Sequence, residues 1–229
     1  MSNESLLFIN LIVTYSLVLL WFYLFKKQGL YVWLIIAALV ANIEVMVQID
    51  AYGFHQTLGN ILFASTFLAT DILSEFYGKK EANFGVNLSI VACVSFIILS
   101  QFWQYFTPNV ADFALPHLRV ISAYTLRIIS AGLIVFVMVQ KLDIFLYHKI
   151  WQLTGTDNHK FLWLRNNIAT IVSQAINTVS FNFGAFYGVF PTDTLWEIIF
   201  INFIIFVATS LLDTPFVYLA ARVRVMRNS

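Results

Sequence analysis

The stretch LLFINLIVTYSLVLLWFYLF, residues 6–25, contains no charged residue and is followed at once by Lys26 and Lys27. About twenty apolar residues are what an α-helix needs to cross the hydrocarbon core of a bilayer. The run has no basic segment before it and no small-residue cleavage motif after it. We therefore interpret it as a retained membrane span rather than as a cleaved signal peptide.

The rest of the chain has the same character. Of its 229 residues 60% are hydrophobic and 11% are charged, and the mean hydropathy is +0.80. Soluble domains are about 45–50% apolar and about 25% charged, so much of this surface is expected to face lipid. A net charge of +1 without a basic stripe argues against nucleic-acid binding. The single cysteine, Cys93, excludes an internal disulfide and a CxxC metal site.

Seven stretches are long and apolar enough to form membrane-spanning helices, and Gly or Pro residues separate most of them. No soluble domain, linker or low-complexity segment interrupts the series. We therefore expect an all-α, polytopic transmembrane helical bundle of about seven spans, folded as a single domain over residues 1–229. The stretches are 6–25, 30–50, 58–78, 83–107, 119–148, 161–190 and 194–221.

Basic residues occur in every second connection between these stretches, with Arg119 as the one exception. Lys and Arg in short loops accumulate on the cytoplasmic side of a membrane. The pattern therefore predicts an amino terminus outside the cell and a carboxyl terminus in the cytoplasm. The basic connections contain Lys26 with Lys27, Lys79 with Lys80, Lys149 with Lys160, and Arg222 with Arg224 and Arg227.

Several ionisable residues lie within the apolar stretches, where each costs about 2.5–3.5 kcal/mol and is expected to face the bundle interior. Asp71 and Glu75 are four residues apart and share one helical face, although Glu75 could instead pair with Lys79. Arg127 in the fifth stretch needs an anion. Glu44 in the second stretch and Asp71 are its candidate partners. A purely structural role remains open for Glu44 and Arg127.

The sixth stretch carries neutral polar residues at spacings of three, four and seven, which places them on one helical face. Such residues often join neighbouring membrane helices, for about 0.6–2 kcal/mol each. Because so many amides recur on one face, we favour a site for a ligand with several hydrogen-bond donors and acceptors. The residues are Asn166, Asn167, Thr170, Ser173, Gln174, Asn177 and Asn182.

The fifth and seventh stretches add further polar candidates. Gln140 and Asp143 share a face near the predicted cytoplasmic end, where Asp143 could snorkel beside Lys141. Asp213 is followed by Pro215, which removes one backbone hydrogen bond from the helix. A bend beside an acid is tolerated where protein or a cavity satisfies the backbone, or it could serve packing alone.

Several of these segments resemble the queuosine precursor transporter family, also called the vitamin uptake transporter-like family. The resemblance covers about residues 30–222. Where the family usually has an Asp-Thr pair, this chain has Asn177-Thr178, which keeps hydrogen-bonding capacity without charge. The segments are TDILSEFYG (70–78), QKLD (140–143), LWLRNN (162–167), SQ (173–174) and LDTPFVY (212–218).

The resemblance implies uptake, across the bacterial cytoplasmic membrane, of 7-deazaguanine queuosine precursors (the 7-cyano or 7-aminomethyl base) or of queuine, for tRNA modification. It also implies a six-helix core similar to the substrate-binding subunits of energy-coupling-factor transporters, with an extra N-terminal span. Two alternatives stay open. One is a vitamin-binding subunit that depends on a separate ATPase module, and the other is a structural or regulatory membrane protein.

We expect the substrate site near the middle of the membrane. A carboxylate could accept from the N1–H and amine of a deazaguanine, while an amide serves O6. The expected partners are a purine-like small molecule and membrane lipid, without nucleic acid, cofactor, metal or enzymatic activity. A homodimer is compatible with a transporter of this size. The expected substrate-binding residues are Glu44, Asp71, Glu75, Arg127, Gln140, Asn167, Gln174, Asn177 and Asp213.

Overall fold

A computed structural model describes residues 1–155, 161–188 and 191–228, without the side chains of 123–129 and 225–228. Six α-helices make up most of this part of the chain. A two-stranded hairpin joins the first two helices, and a short 3-10 turn (Phe102–Gln104) extends the third. The elements are α1 (Asn3–Glu44), β1 (Gln48–Ala51), β2 (Phe54–Thr57), α2 (Asn60–Tyr77), α3 (Lys79–Gln101), α4 (Leu115–Thr154), α5 (Leu162–Phe186) and α6 (Thr192–Asn228).

The first helix, α1, consists of two arms that meet at Lys26, where a φ of 55° breaks the helix. The Asn3 side chain donates to the Asp50 carbonyl (2.9 Å), so the arms fold back on each other. At the bend, a Cβ on Gly29 would come within 2.1 Å of the Trp21 carbonyl oxygen. Glycine at this position therefore permits the close approach of the two arms.

The helical segments follow the predicted stretches to within a few residues, and the clearest difference lies at the end of the second stretch. Residues 48–50 were predicted to be helical but form strand β1, because Tyr52 and Gly53 adopt positive φ angles of 55° and 79°. A two-residue turn of this kind favours a tight β-hairpin. Residues 189 and 190, at the end of the sixth predicted stretch, lie outside the described residues.

Among the described residues, four helices are long and apolar enough to cross a membrane by length and composition. They are α1, α3 with its 3-10 turn (Lys79–Gln104), the Ser130–Thr154 part of α4, and Thr192–Arg224 of α6. The other two helices, α2 and α5, carry many polar residues, and most of these are buried. A helix that is largely surrounded by protein can be polar without exposing those groups to lipid.

Basic residues gather at one end of the bundle, which we call the basic end. There Lys27 forms an ion pair with Glu81 (3.2 Å), and Arg224 donates to the Phe76 carbonyl (2.8 Å). These contacts join the bend of α1 to α3 and join α6 to α2. The opposite end carries strands β1 and β2, and we call it the hairpin end.

Small residues set the closest helix contacts. A Cβ on Gly184 of α5 would lie 3.3 Å from the Ala131 side chain of α4, and one on Gly85 of α3 would lie 2.7 Å from Leu34 of α1. Small residues let membrane helices approach where no hydrophobic force drives them together. The outer faces expose large apolar side chains such as Phe200, as a lipid-facing surface requires.

Candidate functional site

Polar side chains line the interior of the bundle from the hairpin end to the basic end. The sixth stretch behaves as predicted, because its polar face turns inward where α5 packs against α4 and α6. No residue of this face is more than 7% exposed. The face consists of Asn166, Asn167, Thr170, Ser173, Gln174, Asn177 and Asn182.

Near the hairpin end lies a cavity that we call the amide chamber, which encloses about 60 Å³ accessible to water. Its walls come from the second arm of α1 and from α2, α4, α5 and α6. The lining combines aromatic rings with asparagine amides, which both donate and accept hydrogen bonds. The lining includes Asn42, Asn60, Asn177, Asn182 and Asn202, together with Phe63, Phe136, Phe181 and Phe206.

Some of the chamber amides bind one another, and some keep free capacity. Asn60 donates to Asn202 (3.3 Å), and Asn177 donates to Gln174 (3.0 Å). Asn182 donates to the Thr178 carbonyl (2.7 Å), whereas its side-chain oxygen is buried without a hydrogen bond among the described residues. The chamber therefore offers polar atoms that a ligand could satisfy.

Gly132 of α4 keeps one wall of the chamber open. A Cβ at this position would lie 2.9 Å from the Asn42 side-chain oxygen and 3.5 Å from the Phe181 ring. Any larger side chain would therefore extend into the space between these two groups. The absence of a side chain at residue 132 is a condition for the chamber.

A hydrogen-bonded layer separates the chamber from the deeper interior. Gln140 of α4 donates to the Thr66 hydroxyl (2.6 Å) and accepts from Thr70 (3.2 Å), which joins α4 to α2. Phe67, Val135 and Val139 form a small apolar cluster, against which Phe63 and Phe181 of the chamber pack. The chamber is thus closed on this side.

Beyond this layer, Asp71 of α2 and Asp143 of α4 form what we call the acid pair. The carboxylates interact electrostatically, and both lie beside the Thr170 hydroxyl. Neither residue is more than 1% exposed, and none of the four carboxylate oxygens makes a hydrogen bond of ordinary geometry with a described residue. The hydroxyls of Thr170 and Ser173 are also buried and unpaired among the described residues. Asp143 therefore does not snorkel towards Lys141, as one alternative supposed.

Asp213 of α6 is the third buried acid, and it has a partner. Its carboxylate accepts from the Asn166 amide (2.7 Å), and one residue along each helix Asn167 donates to the Thr214 hydroxyl (2.7 Å). These two bonds join α5 to α6. The helix continues through Pro215, so proline does not end it.

At the basic end the interior is closed by an ion-pair cluster formed by Glu75, Arg165 and Tyr147. Arg165 approaches both Glu75 oxygens (2.5 and 2.6 Å), and Tyr147 donates to the same carboxylate (2.7 Å). The guanidinium also lies 4.4 Å from the centre of the Trp151 ring. The guanidinium that takes both Glu75 oxygens comes from Arg165 on a distant helix, whereas the sequence had suggested Lys79 as the alternative partner.

The predicted substrate-binding residues divide among these layers. Asn177 lines the amide chamber, and Glu44 is half-buried beside Val45, which also lines it. The predicted residue Arg127 and the neighbouring Tyr124 have side chains outside the described ones. The remaining predicted residues lie deeper, between the chamber and the basic end. They are Gln140 and Gln174, then Asp71, Asn167 and Asp213, and finally Glu75.

Several residues of the site were not among the predicted substrate-binding residues. Asn42 and Gly132 have no sequence signal that marks a cavity. Asp143 was noted in the sequence, with snorkelling beside Lys141 as one explanation, but was not chosen as a site residue. Arg165 stands in the LWLRNN motif beside the polar stripe, and this buried cation was the signal that could have identified the partner of Glu75.

A second cavity, of about 460 Å³, lies between the start of α1 and α6. Leu7, Leu11, Ile201, Ile204 and other apolar side chains form most of its wall. A crevice of this composition between lipid-facing helices suits an acyl chain better than a polar solute. We therefore place the candidate site in the polar interior.

A helical bundle with an apolar exterior and a layered polar interior has the architecture of a membrane transporter. The model of the family described as putative vitamin uptake transporter matches residues 57–220, and the chain belongs to this family. It is 33% identical over 222 residues to a protein named probable queuosine precursor transporter, from Bacillus subtilis (strain 168). The alignment covers 97% of this chain and 96% of that relative.

No solved structure matches the chain significantly. The family is one of transporters rather than of enzymes, and the chain is a multi-pass protein of the bacterial inner membrane. The resemblance predicted from the TDILSEFYG and LWLRNN segments is thereby confirmed.

Proposed function

We propose that this protein takes up queuosine precursors, the 7-deazaguanine bases, across the cytoplasmic membrane for tRNA modification. The relative from Bacillus subtilis, which aligns over nearly the whole chain, supports this class of substrate by its name. The observation that carries the proposal is the amide chamber, in which five asparagines and four phenylalanines meet in one cavity.

The chemistry of the chamber suits a flat base with an amide-like edge. A deazaguanine presents N1–H and an exocyclic amine as donors and O6 as an acceptor. A single asparagine amide can accept from N1–H and donate to O6, and phenylalanine rings can stack on the base. We propose that Asn177 and Asn182 bind the N1–H and O6 edge of the base. Glu44, beside the chamber, is the carboxylate nearest in sequence to its lining and could take the exocyclic amine.

We further propose seven membrane spans, with the basic end in the cytoplasm and the hairpin end outside. The gathering of Lys27, Lys149 and Arg224 at one end supports this orientation. The two arms of α1 would then count as separate spans. In a Cys93→Ser background, a membrane-impermeant maleimide should label Tyr52→Cys in intact cells and Lys149→Cys only after permeabilisation. The reverse pattern would contradict the orientation.

Transport in this scheme requires movement. The chamber holds only a few water molecules, whereas small-molecule sites commonly measure about 300–1,000 Å³. The chamber must therefore widen to admit a base, and the layer of Gln140 and the ion-pair cluster must open for the base to leave on the cytoplasmic side. Gln140, Gln174 and Asp213 would contact the base along this route.

The test is uptake of radiolabelled 7-aminomethyl- and 7-cyano-7-deazaguanine by cells that cannot make queuosine. Gly132→Leu should reduce uptake more than tenfold, because the new side chain enters the chamber, and Asn177→Leu should reduce it severalfold. Asn87→Leu is the matched control, because Asn87 is exposed on α3 and lies outside the interior. Wild-type uptake by both chamber variants, at equal membrane levels, would refute the assignment of the chamber.

A further inference from the structure

The acid pair places two carboxylates, Asp71 and Asp143, together in the interior without a hydrogen bond of ordinary geometry to any described residue. Buried polar groups are almost always hydrogen-bonded, and an unpaired one calls for an explanation. The hydroxyls of Thr170 and Ser173 lie beside the pair, and they too are buried and unpaired among the described residues. Six polar atoms on three helices therefore converge on one small volume.

The charged and titratable groups around the pair provide no cation among the described side chains. Glu75 on the same helix and Asp213 on α6 are acids, and both interact electrostatically with Asp71. Tyr147 on α4 donates to Glu75, and Tyr15 on α1 lies near Asp213. Arg165 on α5 directs its Nε and Nη2 atoms at Glu75. The Nη1 atom of Arg165 is buried without a hydrogen bond to a described residue, and the side chain of Arg127 lies outside the described ones, so no described contact supplies a cation to the pair.

We propose that the acid pair binds the proton whose inward movement couples uptake of the base to the transmembrane proton gradient. Two carboxylates this close disfavour a state in which both are ionised, and one proton relieves the repulsion. The hydroxyls of Thr170 and Ser173 can hydrogen-bond to either form of the carboxylates. In the described part of the chain, no group of three or more Asp, Glu, His or Cys side chains could hold a metal ion.

The position of the pair connects it to the proposed substrate path, so this inference rests on the proposed function. α2, α4 and α5 each contribute to the lining of the amide chamber and also to the pair or its hydroxyls. A movement of these helices that opens the chamber therefore also changes the environment of the pair. With the base bound and water excluded from the interior, an unprotonated pair would carry excess negative charge in a low-dielectric environment, which is costly. Coupling therefore requires that the base-loaded protein change from the outward- to the inward-facing state only with the proton bound, and that the empty protein return after both have been released.

The experiment uses the purified full-length protein in liposomes, with 7-cyano-7-deazaguanine as the substrate because its cyano group, unlike an aminomethyl group, carries no positive charge. An inward gradient of one pH unit is worth about 1.4 kcal/mol and should support about tenfold accumulation if one proton accompanies each base. Asp71→Asn and Asp143→Asn should abolish accumulation driven by the gradient and retain exchange of labelled for unlabelled base. Asp193→Asn, an exposed acid on α6, should retain both activities.

Thr170→Val provides a second route, because it keeps the shape of the side chain and removes one hydroxyl beside the pair. It should shift the pH at which accumulation is half-maximal while exchange continues. Wild-type exchange without accumulation in response to a pH gradient, or accumulation driven by a Na⁺ gradient instead, would overturn the proton site alone. Loss of exchange in folded Asn variants would assign the pair to the substrate and would also overturn it. Absence of any exchange by the wild type would refute the proposed function itself.

Discussion

Two clusters of buried charged residues lie one helical turn apart on the same helices, yet they differ in how their charges are satisfied. On α2, Asp71 precedes Glu75 by four residues, and on α4, Asp143 precedes Tyr147 by four. In the ion-pair cluster, Glu75 binds a guanidinium and a phenol. In the acid pair, all four carboxylate oxygens lack a hydrogen bond to the described residues.

The difference between the two clusters corresponds to two roles that a buried charge can have in a protein. A charge removed from water is stable in a folded protein only when a partner compensates it, and removal of that partner is then costly. The ion-pair cluster meets this condition with its own side chains and closes the basic end. The acid pair meets this condition only when a group other than the described side chains supplies the positive charge. The partnered cluster is therefore expected to stabilise the fold, and the unpartnered pair to serve transport.

The largest expected effect is on stability in the ion-pair cluster. Arg165→Met removes the guanidinium that binds both Glu75 oxygens, and breaking a buried pair from one side costs about 3–5 kcal/mol. We expect the free energy of unfolding in detergent micelles to fall by this amount, together with a lower melting temperature. Tyr147→Phe, which removes one hydrogen bond to the same carboxylate, should cost only about 0.6–1.7 kcal/mol.

The double variant Glu75→Gln with Arg165→Met is the control for this prediction. It removes both charges, so it should be more stable than Arg165→Met alone even though it has lost more native groups. If the single and the double variants unfold alike, the charge of Glu75 is compensated by another group. The contrast between the two clusters would then lose its physical basis.

The helices could be predicted from the sequence, because lipid imposes one requirement on every span. Uncharged runs of about twenty residues, such as 6–25, identify helices whatever their neighbours are. The inward face of α5 could be predicted for a similar reason, because repeated amides such as Asn166 and Asn177 cannot face lipid without cost. The resemblance in the TDILSEFYG segment then provided the family.

The pairing of the charges could not be predicted, because it depends on how the helices rotate and on their order in the bundle. Glu75 has Lys79 four residues away, which is the better local partner, but Arg165 reaches it from a distant helix. Asp143 stands beside Lys141 in sequence and faces the interior in the structure. The amide chamber was missed for the same reason, since Gly132 opens it only when it faces Asn42.

The smallest expected change in stability is at the acid pair. This change is the most sensitive test of the difference between the acid pair and the ion-pair cluster. In Asp71→Asn and Asp143→Asn, a neutral amide replaces a carboxylate that has no hydrogen bond to lose among the described residues. Burying an amide costs less than burying a charge. We expect the free energy of unfolding to stay within about 1 kcal/mol of the wild type, or to rise, in the same micelle experiment.

Asp213→Asn is the matched control, because it makes the same substitution at a buried acid that does have a partner. It should cost about 1 kcal/mol, the difference between a hydrogen bond to a charged group and one to a neutral group, since Asn166 can still donate to the amide oxygen of the new side chain. An equal loss of stability at Asp71 and Asp213 would mean that the acid pair is held by partners of its own. In that case the excess negative charge on which the proton site depends would be absent, and the two clusters would serve the fold in the same way.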